Sequence, residues 1–240
     1  MSDAFIGGIR LLDACAQPGC PVCRCVARDS RHQLDALLYE HVTDPATRQR
    51  LRAIGGFCNW HTWMLLDIHG ARSGAAILCD DLLGRLIEQL RRDTGTTARR
   101  RSWLLASGWR ARARVERRRA ACPVCVDAAA AERRYLEALL AAAADAELQL
   151  AYARSDGLCG PHALRAMALD AGGAPGSWLA ARTADKWARL RGDLARFVSK
   201  HDYRNREPFT AAEAAACERA LEALSGGRGL FGNDLHPPRS

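Results

Sequence analysis

Two short motifs of cysteine and histidine each occur twice in this chain, at a spacing suited to metal binding. The first is C-x2-C, written CPVC at Cys20–Cys23 and again at Cys122–Cys125. The second is C-x2-H, at Cys58–His61 and at Cys159–His162. Thiolate and imidazole are the donors that tetrahedral zinc prefers, and a two-residue spacer lets both side chains of a motif reach one ion. The eight residues therefore predict two metal sites.

The motifs belong to a longer internal duplication. The segments Cys20–Leu38 and Cys122–Leu140 are identical at ten of nineteen positions, and their shared leucines recur at helical spacing. Cys159 follows Cys58 by 101 positions, and the second CPVC motif follows the first by 102. Two different motifs that recur at almost the same offset indicate a duplicated unit of about 100 residues.

The composition predicts an all-α fold made of two pseudo-repeated helical units. Ala, Leu, Arg and Glu dominate, and β-branched alternation is scarce. The expected units are residues 1–98 and 99–224, and residues 225–240, rich in Gly and Pro, are expected to be a poorly ordered tail. The predicted helices cover about 21–41, 45–53, 59–69, 73–93, 102–118, 123–142, 145–154, 160–170, 176–200 and 210–224.

Each repeat supplies three cysteines and one histidine, which is a complete donor set for one tetrahedral ion. We therefore expect one site within each repeat. Pro21 and Pro123 suit the first position of a helix, so each site should join the N-termini of two helices of the same repeat. The expected ligands are Cys20, Cys23, Cys58 and His61 for the first repeat, and Cys122, Cys125, Cys159 and His162 for the second.

Zinc is the metal that this donor set favours, with one ion in each site. A closed Cys₃His site has no open coordination position, so the metal would be structural and would contribute folding free energy, on the order of 10 kcal/mol by analogy with zinc-finger peptides. The alternative is a pair of iron–sulfur clusters on the same eight ligands, because histidine can replace cysteine in such clusters. A redox dithiol is disfavoured because the helical pattern lacks a βαβ unit.

The positive charge of the chain is concentrated in one stretch. Nine arginines and one glutamate lie between Arg99 and Arg119, a net of +8 that equals the charge of the whole chain. On a helix, four of these arginines share one face: Arg110, Arg114, Arg117 and Arg118. Such a face is suited to an anionic partner, either a protein or a nucleic acid. The alternative interpretation is a solvated linker helix between the two units.

Evidence for catalysis is weak in the sequence. His201, Asp202 and Tyr203 form the densest polar cluster outside the metal motifs and are the candidates for acid–base chemistry. The sequence has no Gly-rich phosphate loop, no Ser/His/Asp arrangement and no pair of carboxylates with catalytic spacing. These observations favour a binding protein over an enzyme and leave the question of catalysis open.

The N-terminal residues lack the basic and apolar regions of a signal peptide, and no apolar stretch is long enough to cross a membrane. We therefore expect a cytoplasmic protein, in which the ten cysteines stay reduced. The most consistent function is that of a non-enzymatic scaffold or adaptor, held by metal and presenting a basic surface. The alternative is an electron-transfer protein with iron–sulfur clusters.

The chain resembles a bacterial family of uncharacterised helical proteins, described as a domain of unknown function. The resemblance rests on the duplicated CPxC…CxxH pattern and on the sequence KHDYRNREPFT near the C-terminus, and it spans residues 18–225. All eight ligand positions match the family motif. The resemblance implies an all-α fold with two metal sites and implies no activity. The arginine-rich segment at 99–119 departs from the family pattern.

Overall fold

The structure is a computed structural model, and it describes residues 3–70, 72–94, 122–141, 145–170 and 173–231. Every regular element in these ranges is a helix, which confirms the predicted all-α fold. In the first half of the chain the α-helices are α1 (Asp3–Cys15), α2 (Pro21–Glu40), α3 (Pro45–Ile54), α4 (Asn59–Met64) and α5 (Arg72–Thr94), with a 3₁₀ helix at Leu65–Asp67. In the second half they are α6 (Pro123–Ala141), α7 (Ala146–Arg154), α8 (Gly160–Asp170), α9 (Ala174–Lys200), α10 (Ala211–Ala214) and α11 (Ala216–Ser225).

Within the described residues, the observed helices differ from the predicted ones in three places. Helix α1, whose Leu11 and Cys15 are buried, is absent from the predicted helices because Gly7 and Gly8 weaken its helical pattern. The helix predicted at 59–69 is divided into α4 and the 3₁₀ helix at Leu65–Asp67. The helix predicted at 210–224 is divided into α10 and α11 at Ala215. The helix predicted at 102–118 lies outside the described residues.

The short helices α3 and α7 lead the chain towards the two C-x2-H motifs, and side chains fix where each begins. Asp44 caps α3 by accepting a hydrogen bond from the backbone N–H of Thr47 at 2.7 Å. Asp145 caps α7 in the same way, with the N–H groups of Glu147 and Leu148 as donors. Both repeats therefore use an aspartate cap at the same stage of the chain.

The described residues fall into two compact units that do not coincide with the two repeats. Unit 1 contains the residues up to Ala27 and those from Ala130 to 231. Unit 2 contains the residues from Arg28 to Ala129. The divisions fall inside α2 and α6, the helices that begin at the CPVC motifs, instead of at the expected boundary between residues 98 and 99. Each unit thus takes part of its structure from each repeat.

Unit 1 is built around the long helix α9. This helix packs against α8, α10 and α11, while α1 packs against α7. The largest buried side chains of the unit include Leu11, Leu136, Leu139, Tyr152 and Leu179. Residues 226–231, which the sequence analysis assigns to a poorly ordered tail, also lie in this unit, and residues 232–240 lie outside the described ranges.

Unit 2 has its own apolar core, in which α3 packs against α5. Asp81 of α5 reinforces this contact by pairing with Arg48 and Arg52 of α3. The buried core residues are Leu34, Leu38, Leu51, Cys58, Met64, Leu65, Ile68, Ala75, Leu78, Cys122 and Val124. Two of these, Cys58 and Cys122, are cysteines of the predicted metal motifs, and each comes from a different predicted ligand set.

The KHDYRNREPFT segment joins α9 to α10 through a buried carboxylate. Glu213 accepts hydrogen bonds from the backbone N–H of Thr210 at 2.8 Å and from Nζ of Lys200 at 2.9 Å. Arg196 pairs with its other oxygen at 3.1 Å. Thr210 and Glu213 form a capping box. The backbone N–H of Thr210 and the Lys200 ammonium hold the pKa of Glu213 well below its ordinary value, at about 2.

Replacing Glu213 by Gln tests this anchor. Because the folded-state pKa is depressed, the ionised carboxylate stabilises the fold above the unfolded-state pKa, roughly 4.3, and loses that effect as the pH falls towards 2. We expect Glu213→Gln to lower the melting temperature by a few degrees at pH 7 and by progressively less below pH 4.5. Glu218→Gln, at an exposed position of α11, is the matched control and should leave the melting temperature unchanged. An equal loss at pH 7 and pH 3 would contradict the assignment.

Candidate metal centres

Each of the four motifs lies at the start of a helix. The carbonyl oxygens of Cys20, Cys58, Cys122 and Cys159 each accept the first hydrogen bond of the helix that follows, at 2.8 to 3.1 Å. The first residue of each motif is therefore an N-cap, and the second donor stands three positions later. These two positions face each other across the first turn, as they do in a capping box. This local geometry brings the two donor atoms of each motif close together.

Four donors meet in unit 1 and form what we call site A: Cys20, Cys23, Cys159 and His162. The Nδ1 atom of His162 lies 3.3 Å from Sγ of Cys20, 3.4 Å from Sγ of Cys23 and 3.2 Å from Sγ of Cys159. The sulfurs of Cys23 and Cys159 are 3.7 Å apart. All four residues are buried.

The other four donors meet in unit 2 and form site B: Cys58, His61, Cys122 and Cys125. The Nδ1 atom of His61 lies 3.2 Å from Sγ of Cys58, 3.5 Å from Sγ of Cys122 and 3.3 Å from Sγ of Cys125. The sulfurs of Cys58 and Cys125 are 3.4 Å apart. Cys125 is partly exposed and the other three residues are buried.

The expectation that each repeat forms its own site is wrong, because the motifs pair crosswise. Site A joins the CPVC motif of the first repeat to the C-x2-H motif of the second, and site B joins the remaining two. The lengths of the helices explain why. Helix α2 has 20 residues and is about 30 Å long, whereas α3 has ten and is about 15 Å long. Cys58 is therefore not carried back to Cys20 and instead shares a core with Leu34 and Leu38, in the second half of α2.

The spacing of the donor atoms fits one tetrahedral ion in each site. Zinc bonds of about 2.3 Å to sulfur and about 2.0 Å to nitrogen place two sulfurs about 3.8 Å apart, and a sulfur and a nitrogen about 3.6 Å apart. In each site the four donor atoms lie within 4.8 Å of one another. All six cysteines are free, and the sulfur separations are much longer than the roughly 2.05 Å of a disulfide bond.

The electrostatics of each site favour one thiolate beside a positive charge, while hydrogen bonds with other cysteines raise the pKa of the neighbouring thiols Cys23, Cys159 and Cys125. Burial raises the pKa of Cys20, but hydrogen bonds with Cys159, Cys23 and His162 outweigh it and hold the pKa well below its ordinary value. Burial lowers the pKa of His162, but contacts with Cys159 and Cys20 raise it to about 11.

Site B shows the same pattern. A hydrogen bond with Cys122 is the main reason that the pKa of Cys58 is lowered. Burial lowers the pKa of His61, but contacts with Cys122 and Cys58 raise it to about 9. Each pocket therefore stabilises thiolate together with a cation, and a metal dication supplies more of that charge than a proton does.

Several side chains that the sequence analysis did not single out surround site A. Nε2 of His162 lies 3.0 Å from Oε1 of Glu132, close enough for an ion pair although the angle is poor for a hydrogen bond. Arg165 binds the same carboxylate oxygen. The backbone N–H of Gly227 donates to Sγ of Cys23 at 3.2 Å, and the ring of Phe231 packs edge-on against His162.

A chain of hydrogen bonds holds the loop that leads into Cys159. The N–H of Leu158 donates to the hydroxyl of buried Tyr152 at 3.2 Å. That hydroxyl lies 2.7 Å from Oγ1 of Thr183, which itself donates to the carbonyl of Leu179. On the other side of the loop, Nζ of Lys186 donates hydrogen bonds to the carbonyls of Ala153 and Ser155, at 2.9 and 2.6 Å. These bonds satisfy the buried backbone groups of the loop.

Glycines shape the turn before each C-x2-H motif. Gly56 and Gly157 both have a left-handed backbone, with φ of 96° and 86°. At Gly157 a Cβ atom would lie only 2.5 Å from Cδ of Lys186, so the lysine that supports the loop also requires glycine there. The two glycines occupy equivalent places in the two repeats, which is a signal in the sequence for the same turn.

The surroundings of site B are less polar. His61 is fully buried and its ring stacks at a tilt against Trp60, with the ring centres 4.4 Å apart. In the part of the chain that the structure describes, Nε2 of His61 has no hydrogen-bond partner and no carboxylate within ion-pair distance. Of the eight ligands, only Cys125 is not fully buried. The two sites therefore have the same types of donor residue, three cysteines and one histidine, and differ in the residues around them.

The other sequence candidates do not join these sites. Arg110, Arg114, Arg117 and Arg118 lie outside the described residues. His201, Asp202 and Tyr203 are exposed on the surface, and His201 bonds to the carbonyl of Phe197 at the end of α9. This arrangement is that of a helix end and does not bring the three side chains into a pocket.

The chain matches the model of a family of unknown function (DUF6062) over residues 3–229. The protein belongs to this family. That finding agrees with the resemblance inferred from the duplicated motifs. No curated protein and no solved structure shows a significant match to the chain. None of the helices in the described ranges has both the length and the apolar character needed to span a lipid bilayer.

Proposed function

We propose that this protein is a non-enzymatic zinc protein in which each of the two helical units is held by one structural ion. The observation that carries the proposal is the convergence of three sulfurs and one Nδ1 atom in each of two buried sites, at separations suited to one tetrahedral ion. The ligands would be Cys20, Cys23, Cys159 and His162 in site A, and Cys58, His61, Cys122 and Cys125 in site B.

The donor set and its surroundings support zinc in particular. Three thiolates and one imidazole form a closed structural zinc set with no position left for water or substrate. Each site joins the start of one helix to the start of another, so a metal would lock the first turns of α2 and α8, and of α4 and α6. A structural ion of this kind contributes its binding free energy to folding.

The alternative is an iron–sulfur cluster in each site. In such a cluster, iron and sulfide occupy the space between the protein ligands, so the ligand atoms must stand farther apart than they do around one ion. The separations of 3.2 to 3.7 Å between contacting donor atoms favour a single ion. The electron-transfer function therefore has less support than the structural one.

The partner of such a scaffold would bind the arginine-rich stretch between Arg99 and Arg119. This segment follows α5 and precedes α6 in the chain, and its net charge of +8 accounts for the charge of the whole protein. The rest of the chain carries no net charge, so this stretch is the part of the chain suited to a nucleic acid or an acidic protein surface. In this proposal the zinc ions make the helical scaffold rigid, and the arginines attract the anionic partner.

The metal content of the purified protein tests the first part of the proposal. We expect close to two zinc ions and no acid-labile sulfide per chain, in protein that is purified without oxygen and is colourless. Elemental analysis, sulfide determination and a visible spectrum measure these quantities. Iron with an equal amount of sulfide would instead establish the cluster alternative.

Pairs of substitutions test the crosswise pairing of the ligands. Cys20→Ser combined with His162→Ala removes two ligands of site A, so about one zinc should remain. Cys20→Ser combined with His61→Ala damages both sites, so little zinc should remain. Zinc per chain after dialysis measures the difference. If the repeats paired within themselves, the two results would be exchanged, because Cys20 and His61 would then share one ion.

The salt dependence of binding tests the role of the basic stretch. If several arginines contact phosphates, the affinity for a short DNA or RNA duplex should fall steeply as salt rises from about 50 to 200 mM. Replacing Arg114, Arg117 and Arg118 by Gln should weaken binding and reduce the salt dependence. Fluorescence anisotropy measures both. The absence of binding at low salt would reject a nucleic-acid partner and leave a protein partner.

A further inference from the structure

The two sites differ most clearly at the far side of the histidine ring. In site A, Nε2 of His162 faces the carboxylate of Glu132, which Arg165 holds in place. In site B, Nε2 of His61 is buried and faces no carboxylate in the described part of the chain. A carboxylate behind a ligating histidine fixes the orientation of the ring and makes its other nitrogen a better donor.

The internal duplication places a different type of residue at the position that corresponds to Glu132. With the shift of 102 that relates the CPVC motifs, Glu132 corresponds to Ser30. Ser30 is buried in unit 2, and its hydroxyl has no hydrogen-bond partner there. The position that supplies a carboxylate to one site thus supplies an unpartnered hydroxyl group to the unit that contains the other.

Site A also has a cover, and the described residues around site B include no counterpart to it. The backbone N–H of Gly227 donates to Sγ of Cys23, and this bond stabilises a thiolate. Phe231 lies against His162, and Arg165 stacks over the Phe231 ring with a separation of 4.9 Å. In site B, by contrast, Cys125 is partly open to solvent. A chelator or an acceptor protein therefore has easier access to a ligand of site B.

We propose that the two sites are unequal: site A holds its metal more tightly, whereas site B is an exchangeable site that gives up its metal first. This inference rests on the proposed function, because it requires both sites to hold zinc. Glu132 is a positioning residue that acts through His162. Loss of such a residue commonly weakens metal binding by about 10- to 100-fold, so release from the two sites should differ by at least about tenfold.

Metal release from the zinc-loaded full chain tests the proposal. Excess 4-(2-pyridylazo)resorcinol removes the zinc and reports it by colour, and short pulses of N-ethylmaleimide label the cysteines that lose their metal. We expect two phases of about one zinc each. Mass spectrometry should find Cys58 and Cys122 labelled in the fast phase, and Cys20 and Cys159 in the slow phase. Cys125 is not used as a reporter because it is partly exposed.

Glu132→Gln identifies the cause. This variant keeps the shape of the side chain and removes its charge, so the slow phase should accelerate about tenfold while the fast phase stays the same. Glu137→Gln makes the same chemical change at an exposed position of α6 and should alter neither phase. A purely structural role for Glu132 would accelerate both phases or lower the melting temperature without changing the order of labelling.

The failure of this inference can be distinguished from the failure of the proposed function. Fewer than two zinc ions per chain at the start would reject the function itself. Two zinc ions that leave in one phase, or earlier labelling of Cys20 and Cys159, would overturn only the inequality of the sites. If Glu132→Gln does not fold, the order of labelling in the wild-type chain still decides the question.

Discussion

The constraint on which the structure depends is that each Cys₃His set must be completed by residues distant in the chain. Cys20 and His162 are 142 positions apart, yet their donor atoms lie 3.3 Å from each other. A set of this kind closes very long loops, and because the unfolded chain does not hold the four donors together, a metal bound there would stabilise the folded state. Each donor set takes two residues from each repeat, so neither set is complete within one repeat.

This arrangement follows from the length of two helices. In both repeats the CPVC motif begins a long helix, and a much shorter helix precedes the C-x2-H motif. The short helix cannot return the chain to the start of the long one, so each C-x2-H motif meets the CPVC motif of the other repeat. In unit 2, the first repeat still provides the core leucines that lie beside its own C-x2-H motif. Duplication and exchange thus produce two similar units from a single chain.

The two units differ in the buried polar groups that surround their donor sites. In unit 1, Tyr152, Thr183 and Lys186 satisfy the loop before Cys159, and Glu132 and Arg165 lie behind His162. Desolvated groups of this kind are costly unless they are paired, and here they are paired. Unit 2 relies on an apolar core, in which the hydroxyl of Ser30 is unpartnered. Nε2 of His61 and Nε2 of His162 both lack a hydrogen bond, but only that of His162 lies beside a carboxylate in the described residues. The same types of donor residue therefore lie in a polar, hydrogen-bonded environment in unit 1 and in an apolar environment in unit 2.

The sequence by itself determined the helices and the donors. Helical spacing of the leucines, the prolines at Pro21 and Pro123 and the aspartate cap of α3 are local signals, and local signals fix where most of the helices begin. The two-residue spacer is also local, and it fixes which donors of one motif act together.

Only the tertiary structure decided which motif pairs with which. That choice depends on how far α2 and α3 carry the chain and on which leucines share a core with Cys58, and neither is visible in a spacing of residues. The residues that support site A could not be predicted from the sequence for the same reason. Glu132 is one charged residue among many on a helix, and only the fold brings it to His162, 30 positions later. Contacts between residues that are distant in the chain depend on tertiary packing, so the sequence pattern around each residue does not predict them.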